Sequence, residues 1–325
     1  MFFKIKRKLK TFFKNWKADV CFSRKLARYR LLDNLFSCLR LKRISDKYFE
    51  KETQFIIDYL KKDTEDIIEK YKDADYEGVF TANAPIWVCW WTGIDSAPQL
   101  VQQCVKSIKK NSGSHTVNFI DKDNYMNYID IPDFIMRKQK EGKMGLAHFA
   151  DYLRVSLLEK YGGLWLDATI FCSEIIPEEY FLNPFFTLKS PYRESRYVSH
   201  FQWVTFCLGG WKGNVFYSFM KEVFEQYWEK ENLAIDYLFF DHLIYIARES
   251  IPSIKKHMDA VPENTPHRDD LQAAMNACLP AEGFEKIIKD DTTLYKLSWR
   301  EKYSECTPAG KESVYGYFIN TMNGG

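Results

Sequence analysis

Two kinds of hydrophobic pattern alternate along the chain after residue 84. Apolar side chains spaced three and four residues apart indicate amphipathic helices, whereas short continuous apolar runs indicate buried strands. The helical pattern covers residues 97–110, 146–160, 214–230 and 236–249, and the strand pattern covers residues 86–91, 116–121, 164–171 and 203–208. A strand, a helix and a second strand in succession favour an α/β fold in which helices flank the sheet and ligands bind at the carboxyl ends of the strands.

The amino-terminal part of the chain has only the helical pattern. It extends over residues 45–72, and residues 24–43 are also compatible with a helix. In residues 1–17 the bulky apolar side chains fall on one helical face: Phe2, Phe3, Ile5, Leu9, Phe12, Phe13 and Trp16. We therefore predict two parts, a basic amphipathic helical region at 1–80 and an α/β domain at 81–325.

Charge separates these two parts further. The net charge of the chain is +2, but residues 1–43 carry 14 basic and two acidic side chains, which leaves a net charge of −10 on the remainder. A cationic helix with Phe and Trp on one side is typical of segments that lie in the headgroup layer of an anionic membrane. Docking on its own domain and binding of nucleic acid are the alternatives. No nucleic-acid-binding motif follows, so we expect no nucleic-acid partner.

Composition excludes several classes of protein. Hydrophobic residues at 46% and charged residues at 28% are close to the globular average, which argues against disorder and fibrous architecture. The eight cysteines show no CxxC pair or zinc-ligand spacing, so we expect a reducing, cytoplasmic setting. No apolar run reaches the length that crosses a bilayer, and the amino terminus lacks the pattern of a signal peptide.

Candidate chemistry is concentrated in residues 148–171. Asp151 and Arg154 are three residues apart in a predicted helix and therefore share a face. In the strand that follows, alternation places Asp167 and Thr169 on one side. A carboxylate and a hydroxyl in an apolar strand are costly to bury, and a hard cation with phosphate, or a ribose hydroxyl, would satisfy both. The alternatives are an ordinary helix-surface pair and an aspartate that caps a turn.

This segment resembles the capsular polysaccharide synthesis glycosyltransferases, which are related to the DXD-containing sugar transferases of glycosyltransferase family 32. The matching elements are Asp151 and Arg154 in a helix, Tyr161-Gly162-Gly163, and an apolar strand that ends in Asp167-Ala168-Thr169. The likeness extends weakly from about Ile86 to Trp299 through the segments PIWVCWWTG, TFCLGGWKGN and DYLFFDH, and it does not cover the first 80 residues.

The resemblance implies a GT-A type fold, that is, a Rossmann-like mixed sheet that binds a nucleotide-sugar donor, with UDP-sugars favoured and retention of configuration. The donor-binding residues would be Trp90, Trp91, Thr92, Asp151, Arg154, Asp167, Thr169 and Lys296. Asp167 would also hold Mn²⁺ or Mg²⁺. Thr169 stands where the family often has a second metal-binding carboxylate, and this departure puts the metal in doubt because a hydroxyl is a poor ligand for these ions.

Breaking the bond between a sugar and a diphosphate creates negative charge on the leaving group and positive character on the sugar. Arg154 and Lys296 are therefore candidates for the phosphate side, and Asp236 and Asp241 for the sugar side. Because these two aspartates are five residues apart in a predicted helix, they need not share a face. The candidate catalytic set is Asp167, Asp241, Asp236 and Arg154, and the candidate acceptor-binding set is His242, Gly209, Gly210 and Trp211.

The function that combines these features is transfer of a sugar onto a polyprenyl-diphosphate-linked glycan during capsular or surface polysaccharide synthesis. The enzyme would be bacterial and peripheral on the inner face of the cell membrane, where residues 1–43 would bind the anionic surface. One alternative is a nucleotidyltransferase-type enzyme, although neither GxxxxGK[ST] nor GxGxxG occurs. The other is a non-catalytic membrane-bound scaffold that keeps the fold.

Overall fold

A five-stranded mixed sheet forms the centre of the computed structural model, which describes residues 16–192 and 196–321. The strands are β1 (Ile86–Cys89), β2 (Val117–Ile120), β3 (Gly163–Leu166), β4 (Ile170–Cys172), β5 (Phe185–Thr187), β6 (Cys207–Gly210) and β7 (Leu294–Lys296). The central order is β2-β1-β3-β6-β5, in which β1, β2 and β3 are parallel while β6 is antiparallel to both β3 and β5. The predicted mixed α/β architecture is confirmed.

Helices cover this sheet and precede it. They are α1 (Arg24–Cys38), α2 (Lys42–Asp63), α3 (Glu65–Tyr71), α4 (Gln99–Lys110), α5 (Asp133–Lys140), α6 (Leu146–Tyr161), α7 (Val215–Lys230), α8 (Phe239–Ser250), α9 (Pro252–Ala260), α10 (Asp270–Ala274) and α11 (Val314–Thr321). The helix predicted at 45–72 is interrupted at Thr64, whose hydroxyl donates to the Leu60 carbonyl at 2.8 Å. A side chain that bonds to its own helix in this way competes with the backbone pattern.

The turn from α6 into β3 depends on its two glycines. Gly162 and Gly163 both have positive φ, at 68° and 96°, which is a conformation that other residues rarely adopt. A Cβ atom on Gly163 would lie 2.0 Å from the carbonyl oxygen of Pro85. The glycine pair therefore lets the chain reverse at the end of α6 and enter the sheet directly beside β1.

The apolar run at 164–171, predicted as one strand, forms two. After β3 the backbone makes a turn in which the Ile170 N–H donates to the Asp167 carbonyl at 2.9 Å. The chain then continues as β4, which pairs with β7 in a separate two-stranded sheet. Asp167, Ala168 and Thr169 thus lie in a corner between two sheets instead of within a strand, because pairing with β7 draws the second half of the run away from the central sheet.

The predicted strand at 203–208 is displaced towards higher residue numbers. β6 begins at Cys207 and includes Gly209 and Gly210, beyond the end of the predicted strand. These glycines are packed against other main chain: a Cβ on Gly209 would lie 3.1 Å from the Gly163 carbonyl oxygen, and one on Gly210 would lie 2.3 Å from that of Pro184. The absence of side chains allows β6 to lie between β3 and β5.

The amino-terminal helices share the hydrophobic core of the α/β part. Leu26, Ile56 and Leu60 belong to the same buried cluster as Ile86 and Val88 of β1, and α2 and α3 pack against α8 and α7 respectively. The proposed boundary at residue 80 stays a prediction. Of the basic arm predicted at residues 1–17, positions 1–15 lie outside the described residues, and residues 16–22 are helical.

Candidate active site

Three parallel strands end at one edge of the central sheet and bring charged and aromatic residues together there. Trp90 follows β1, Asp121 follows β2 and Asp167 follows β3. The carboxyl edge of parallel strands is where ligands bind in open α/β sheets. Asp167 has the most polar contacts of the three, and the candidate site is built around it.

The carboxylate of Asp167 is held by three donors. Its Oδ1 accepts from Arg154 Nη2 at 3.1 Å and from Trp165 Nε1 at 3.0 Å, and its Oδ2 accepts from Lys296 Nζ at 2.9 Å. Burial alone would raise the pKa of Asp167, but the charges of Lys296 and Arg154 and the hydrogen bonds outweigh it and lower the pKa to about 2. Asp167 is therefore ionised at physiological pH.

Arg154 links the two carboxylates predicted for the site. It lies in the middle of α6 with its side chain only 5% exposed, and it donates to Asp151 through Nη1 and to Asp167 through Nη2. Its guanidinium carbon lies 4.7 Å from the centre of the Trp165 ring, a cation–π geometry. Nε is buried without a hydrogen-bond partner in the part of the chain that the structure describes. The predicted helical pair, Asp151 and Arg154, is therefore part of the site and contacts Asp167 through Arg154.

Lys296 reaches the site through the pairing of β4 with β7. The register sets Lys296 opposite Ile170, immediately after the Asp167–Thr169 corner. Its Nζ donates to Asp167 Oδ2 at 2.9 Å and to Thr169 Oγ1 at 2.7 Å. Asp167 and Thr169 were predicted to lie on one side of a continuous strand. The strand is broken between them, but both side chains still contact the same partner, Lys296.

These contacts bear on the predicted divalent metal. An ammonium group already binds both Asp167 and Thr169, and a second cation, Arg154, binds the same carboxylate. Within residues 16–192 and 196–321 no three side chains of the His, Cys, Asp and Glu types are grouped as metal ligands. A carboxylate and a hydroxyl that are already bound to cations are a donor set that does not fit Mg²⁺ or Mn²⁺, which bind several oxygen ligands including carboxylates.

Of the two aspartates predicted for the sugar side, Asp241 is the one that lies with this cluster. It is in the first turn of α8 and accepts from Trp203 Nε1 at 3.0 Å. Burial, together with the nearby Asp151 carboxylate, raises the pKa of Asp241 to about 7, and His242, Trp203 and Arg154 only partly oppose this increase. A carboxyl group that titrates near neutral pH suits proton transfer.

The raised pKa of Asp241 predicts a specific pH dependence of stability. The folded protein binds the proton of the Asp241 carboxyl more tightly than the unfolded chain does. Protonated Asp241 therefore stabilises the fold fully below about pH 4, and this stabilisation is lost as pH rises through about 7. Asp241→Asn cannot ionise but can still accept from Trp203. In thermal melts the variant should match the wild type near pH 4, become increasingly more stable than it up to pH 7, and keep that advantage above pH 7.

Asp236→Asn is the control with the opposite sign. Burial raises the pKa of Asp236, but His242 and Arg30 outweigh it and lower the pKa. Ionised Asp236 therefore stabilises the fold at neutral pH, and this contribution is lost as pH falls below about 4. Asp236→Asn should be less stable than the wild type at pH 7. A pH-independent difference between Asp241→Asn and the wild type would contradict the assignment of Asp241.

Asp236 itself joins α8 to the amino-terminal helices. Its Oδ2 accepts from Arg30 Nη2 at 2.5 Å and its Oδ1 from the Leu238 N–H at 2.7 Å. Arg30 also binds Asp19 and Glu52. His242 is buried with Nε2 3.7 Å from Asp236 Oδ1, so it faces this ion-pair network. The structure does not bring Asp236 and His242 into contact with Asp167.

The aromatic pair predicted to bind the donor lies at the carboxyl edge of the sheet. Trp90 is half-buried and packs edge to face with Trp299 at 5.6 Å, while Trp91 packs against Phe149 at 5.0 Å. Thr92 is exposed in the turn that follows. All three are at the same edge of the sheet as Asp167.

The remaining predicted acceptor residues lie elsewhere. Gly210 pairs with Gly163 at the amino end of β3, whereas Asp167 follows the carboxyl end of the same strand. Trp211 donates to the Phe181 carbonyl at 3.1 Å and packs against Phe80. The structure therefore does not bring Gly209, Gly210 and Trp211 together with the charged cluster, and close packing of β6 accounts for the two glycines.

Sequence reasoning missed two residues at the site. Trp165 donates to Asp167, and its position two residues earlier in the strand was a usable signal because alternation places both on one face. Arg268 is buried beside Phe206, whose carbonyl accepts from the Asp167 N–H at 2.9 Å. No motif or periodicity marks Arg268, since it lies in a turn before α10.

A mixed sheet whose parallel strands end in a cluster of carboxylates and cations defines an α/β protein with a candidate ligand site at the carboxyl edge. The family model described as capsular polysaccharide synthesis protein matches residues 38–318. The chain belongs to this capsular polysaccharide synthesis family.

A more distant likeness connects it to a named enzyme. The chain is 26% identical over 163 residues to the O-glycosyltransferase braB of Annulohypoxylon truncatum, an alignment that covers 46% of this chain. The match spans 38% of the length of that relative. No solved structure matches the chain.

Proposed function

We propose that this protein is a glycosyltransferase with a GT-A type fold, which moves a sugar from a nucleotide-sugar donor, preferably a UDP-sugar, with retention of configuration. The observation that carries the proposal is the cluster of Asp151, Arg154, Asp167 and Lys296 at the carboxyl edge of the parallel strands. Membership of the capsular polysaccharide synthesis family and the likeness to an O-glycosyltransferase support it.

The cluster has the charges that sugar transfer requires. As the bond between the anomeric carbon and the diphosphate breaks, negative charge grows on the leaving nucleotide, and Arg154 and Lys296 stabilise it. Asp151 and Asp167 accept hydrogen bonds from hydroxyl groups of the donor, and Trp90 and Trp91 contact its base. The acceptor oxygen forms the new bond to the anomeric carbon on the face from which the diphosphate departs, as retention requires, and its proton passes to Asp241, whose pKa near 7 suits this role.

We further propose that transfer needs no divalent metal. In this reading the ammonium of Lys296, bound to Asp167 and Thr169, supplies positive charge at the position where a metal would neutralise the diphosphate. The experiment that tests the function is a panel of UDP-, GDP- and CMP-sugars incubated with the enzyme in EDTA, with release of free nucleotide and sugar measured. Turnover of one donor class in EDTA is expected. No turnover with any donor, with or without Mn²⁺, would favour a non-catalytic role.

We propose as acceptor a polyprenyl-diphosphate-linked glycan at the inner face of a bacterial membrane. The tip between α1 and α2 supports this placement. Four large aliphatic side chains are exposed there, Leu35 at 48%, Leu39 at 57%, Leu41 at 44% and Ile44 at 41%. Arg40, Lys42 and Arg43 between them are exposed as well. Apolar side chains that enter the headgroup layer among cations are the pattern of an interfacial anchor. In residues 16–192 and 196–321, no helix is both long and apolar enough to cross a membrane.

Replacing Leu39 and Leu41 with aspartate should weaken binding to vesicles that contain phosphatidylglycerol by about tenfold or more, because two leucines that enter the headgroup layer are lost and two negative charges are added among the cations. Co-sedimentation with these vesicles measures the effect. Ile175→Asp, at another exposed aliphatic residue, is the matched control and should bind like the wild type. Equal binding by the double variant would exclude the α1–α2 tip as the contact.

A further inference from the structure

Arg268 is a buried cation that the mechanism above does not use. It lies in the turn before α10 and is 6% exposed. Its carbonyl accepts from the Lys296 N–H at 2.9 Å, so the turn is fixed to the strand that brings Lys296 into the site. Arg268 is thereby attached to the candidate site by main chain.

The guanidinium of Arg268 is incompletely satisfied. Nε donates to Asp269 Oδ2 at 3.1 Å, but the Asp269 side chain is 65% exposed, and exposed pairs of this kind contribute little. Nη1 is buried and has no hydrogen-bond partner within the described ranges. Buried polar groups of native proteins nearly always have a partner, so this buried N–H marks a position that a ligand or an ordered water would occupy.

Aromatic rings hold this cation close to Lys296. The guanidinium carbon lies 5.1 Å from the centre of the Phe201 ring and 5.7 Å from that of Phe206. Lys296 Nζ lies 4.7 Å from the centre of the same Phe206 ring. Both cations therefore contact one aromatic side chain, whose own carbonyl binds the backbone of Asp167.

We infer that Arg268 and Lys296, which both contact the Phe206 ring, form a subsite for the phosphate groups of a nucleoside diphosphate. This inference rests on the proposed function and adds to it the residue that holds the leaving group. A planar guanidinium with free N–H groups matches phosphate oxygens, and lysine adds a point charge. These two cations, with Arg154 nearby, place hydrogen-bond donors and positive charge beside the diphosphate oxygens.

The test is calorimetric binding of inorganic diphosphate and UDP to the full chain. Arg268→Gln should raise Kd for both about tenfold, as expected for loss of a hydrogen bond to a charged group. Arg268→Lys should recover part of the affinity. Arg248→Gln removes an arginine that binds Glu249 and Asp259 at the surface, and it should bind like the wild type. Hydrogen exchange of the wild-type segment 266–270 should slow when diphosphate is added.

Unchanged affinity in folded Arg268→Gln would overturn the subsite and leave the proposed function standing. If that variant does not fold, wild-type exchange at 266–270 that is insensitive to diphosphate would overturn the subsite equally. Diphosphate binding that depends on Arg268, together with no sugar release from any donor, would support the subsite and contradict the proposed function.

Discussion

Replacing Asp167 with asparagine is expected to lower the rate of sugar transfer by about a hundredfold to a thousandfold, the effect of removing one charged group from a preorganised site. The carboxylate orders both Arg154 and Lys296, and asparagine offers each of them a weaker acceptor at best. The low pKa of Asp167 means that the folded state favours its ionised form, so the variant should also lose about 2 kcal/mol of stability. Steady-state rates and urea unfolding measure the two effects separately.

Asp259→Asn is the matched control for this substitution. Asp259 also accepts from an arginine, Arg248, at 2.7 Å, but the pair lies at the surface away from the sheet edge. This control should keep full activity and lose less than about 1 kcal/mol. Equal activity of Asp167→Asn and Asp259→Asn would show that Asp167 serves only the fold.

The second large effect is expected at Arg154. Arg154→Met should remove transfer and destabilise the protein by about 3–5 kcal/mol, because Asp151 and Asp167 lose the cation that they share in a buried position. Arg248→Met, at an exposed arginine with acidic partners, should cost less than about 1 kcal/mol.

A double variant separates the structural from the catalytic part of this effect. Arg154→Met leaves two carboxylates without their cation, and adding Asp151→Asn removes one of them. The double variant should therefore lose less stability than the sum of the losses of the two single variants, by about 1 kcal/mol or more. Transfer should stay absent because the phosphate still lacks Arg154. Additive stabilities in urea unfolding would contradict the shared ion pair.

Local spacing predicted the parts of the site that lie within one element. Asp151 and Arg154 are adjacent on α6 because three residues make almost one helical turn, and the glycine pair after Tyr161 ends that helix. The strand–helix–strand order of the α/β part was predictable in the same way, since its apolar runs stand between turn residues, whereas the mixed sheet was implied by the family resemblance. The break after Leu166 was not, because Asp167-Ala168-Thr169 contains no glycine or proline.

Contacts between distant elements were beyond the sequence patterns. Lys296 reaches Asp167 through the register of β4 with β7, which no local pattern encodes. Asp236 and Asp241 have similar surroundings in the sequence. In the structure, Asp236 binds Arg30 of α1, whereas Asp241 lies near Asp151. Arg268 is distinguished by its burial and by its unpartnered Nη1, and both are properties of the folded structure.

The most direct test of the central claim is a thermal-shift panel of UDP, GDP and CMP with the wild type and Asp167→Asn, all in EDTA. A ligand that binds only the folded state must raise the melting temperature, by an amount that grows with its concentration relative to Kd. One nucleotide, preferably UDP, should stabilise the wild type in the absence of metal and should stabilise Asp167→Asn much less. No shift with any of the three at millimolar concentration would contradict a nucleotide-sugar site at this edge of the sheet.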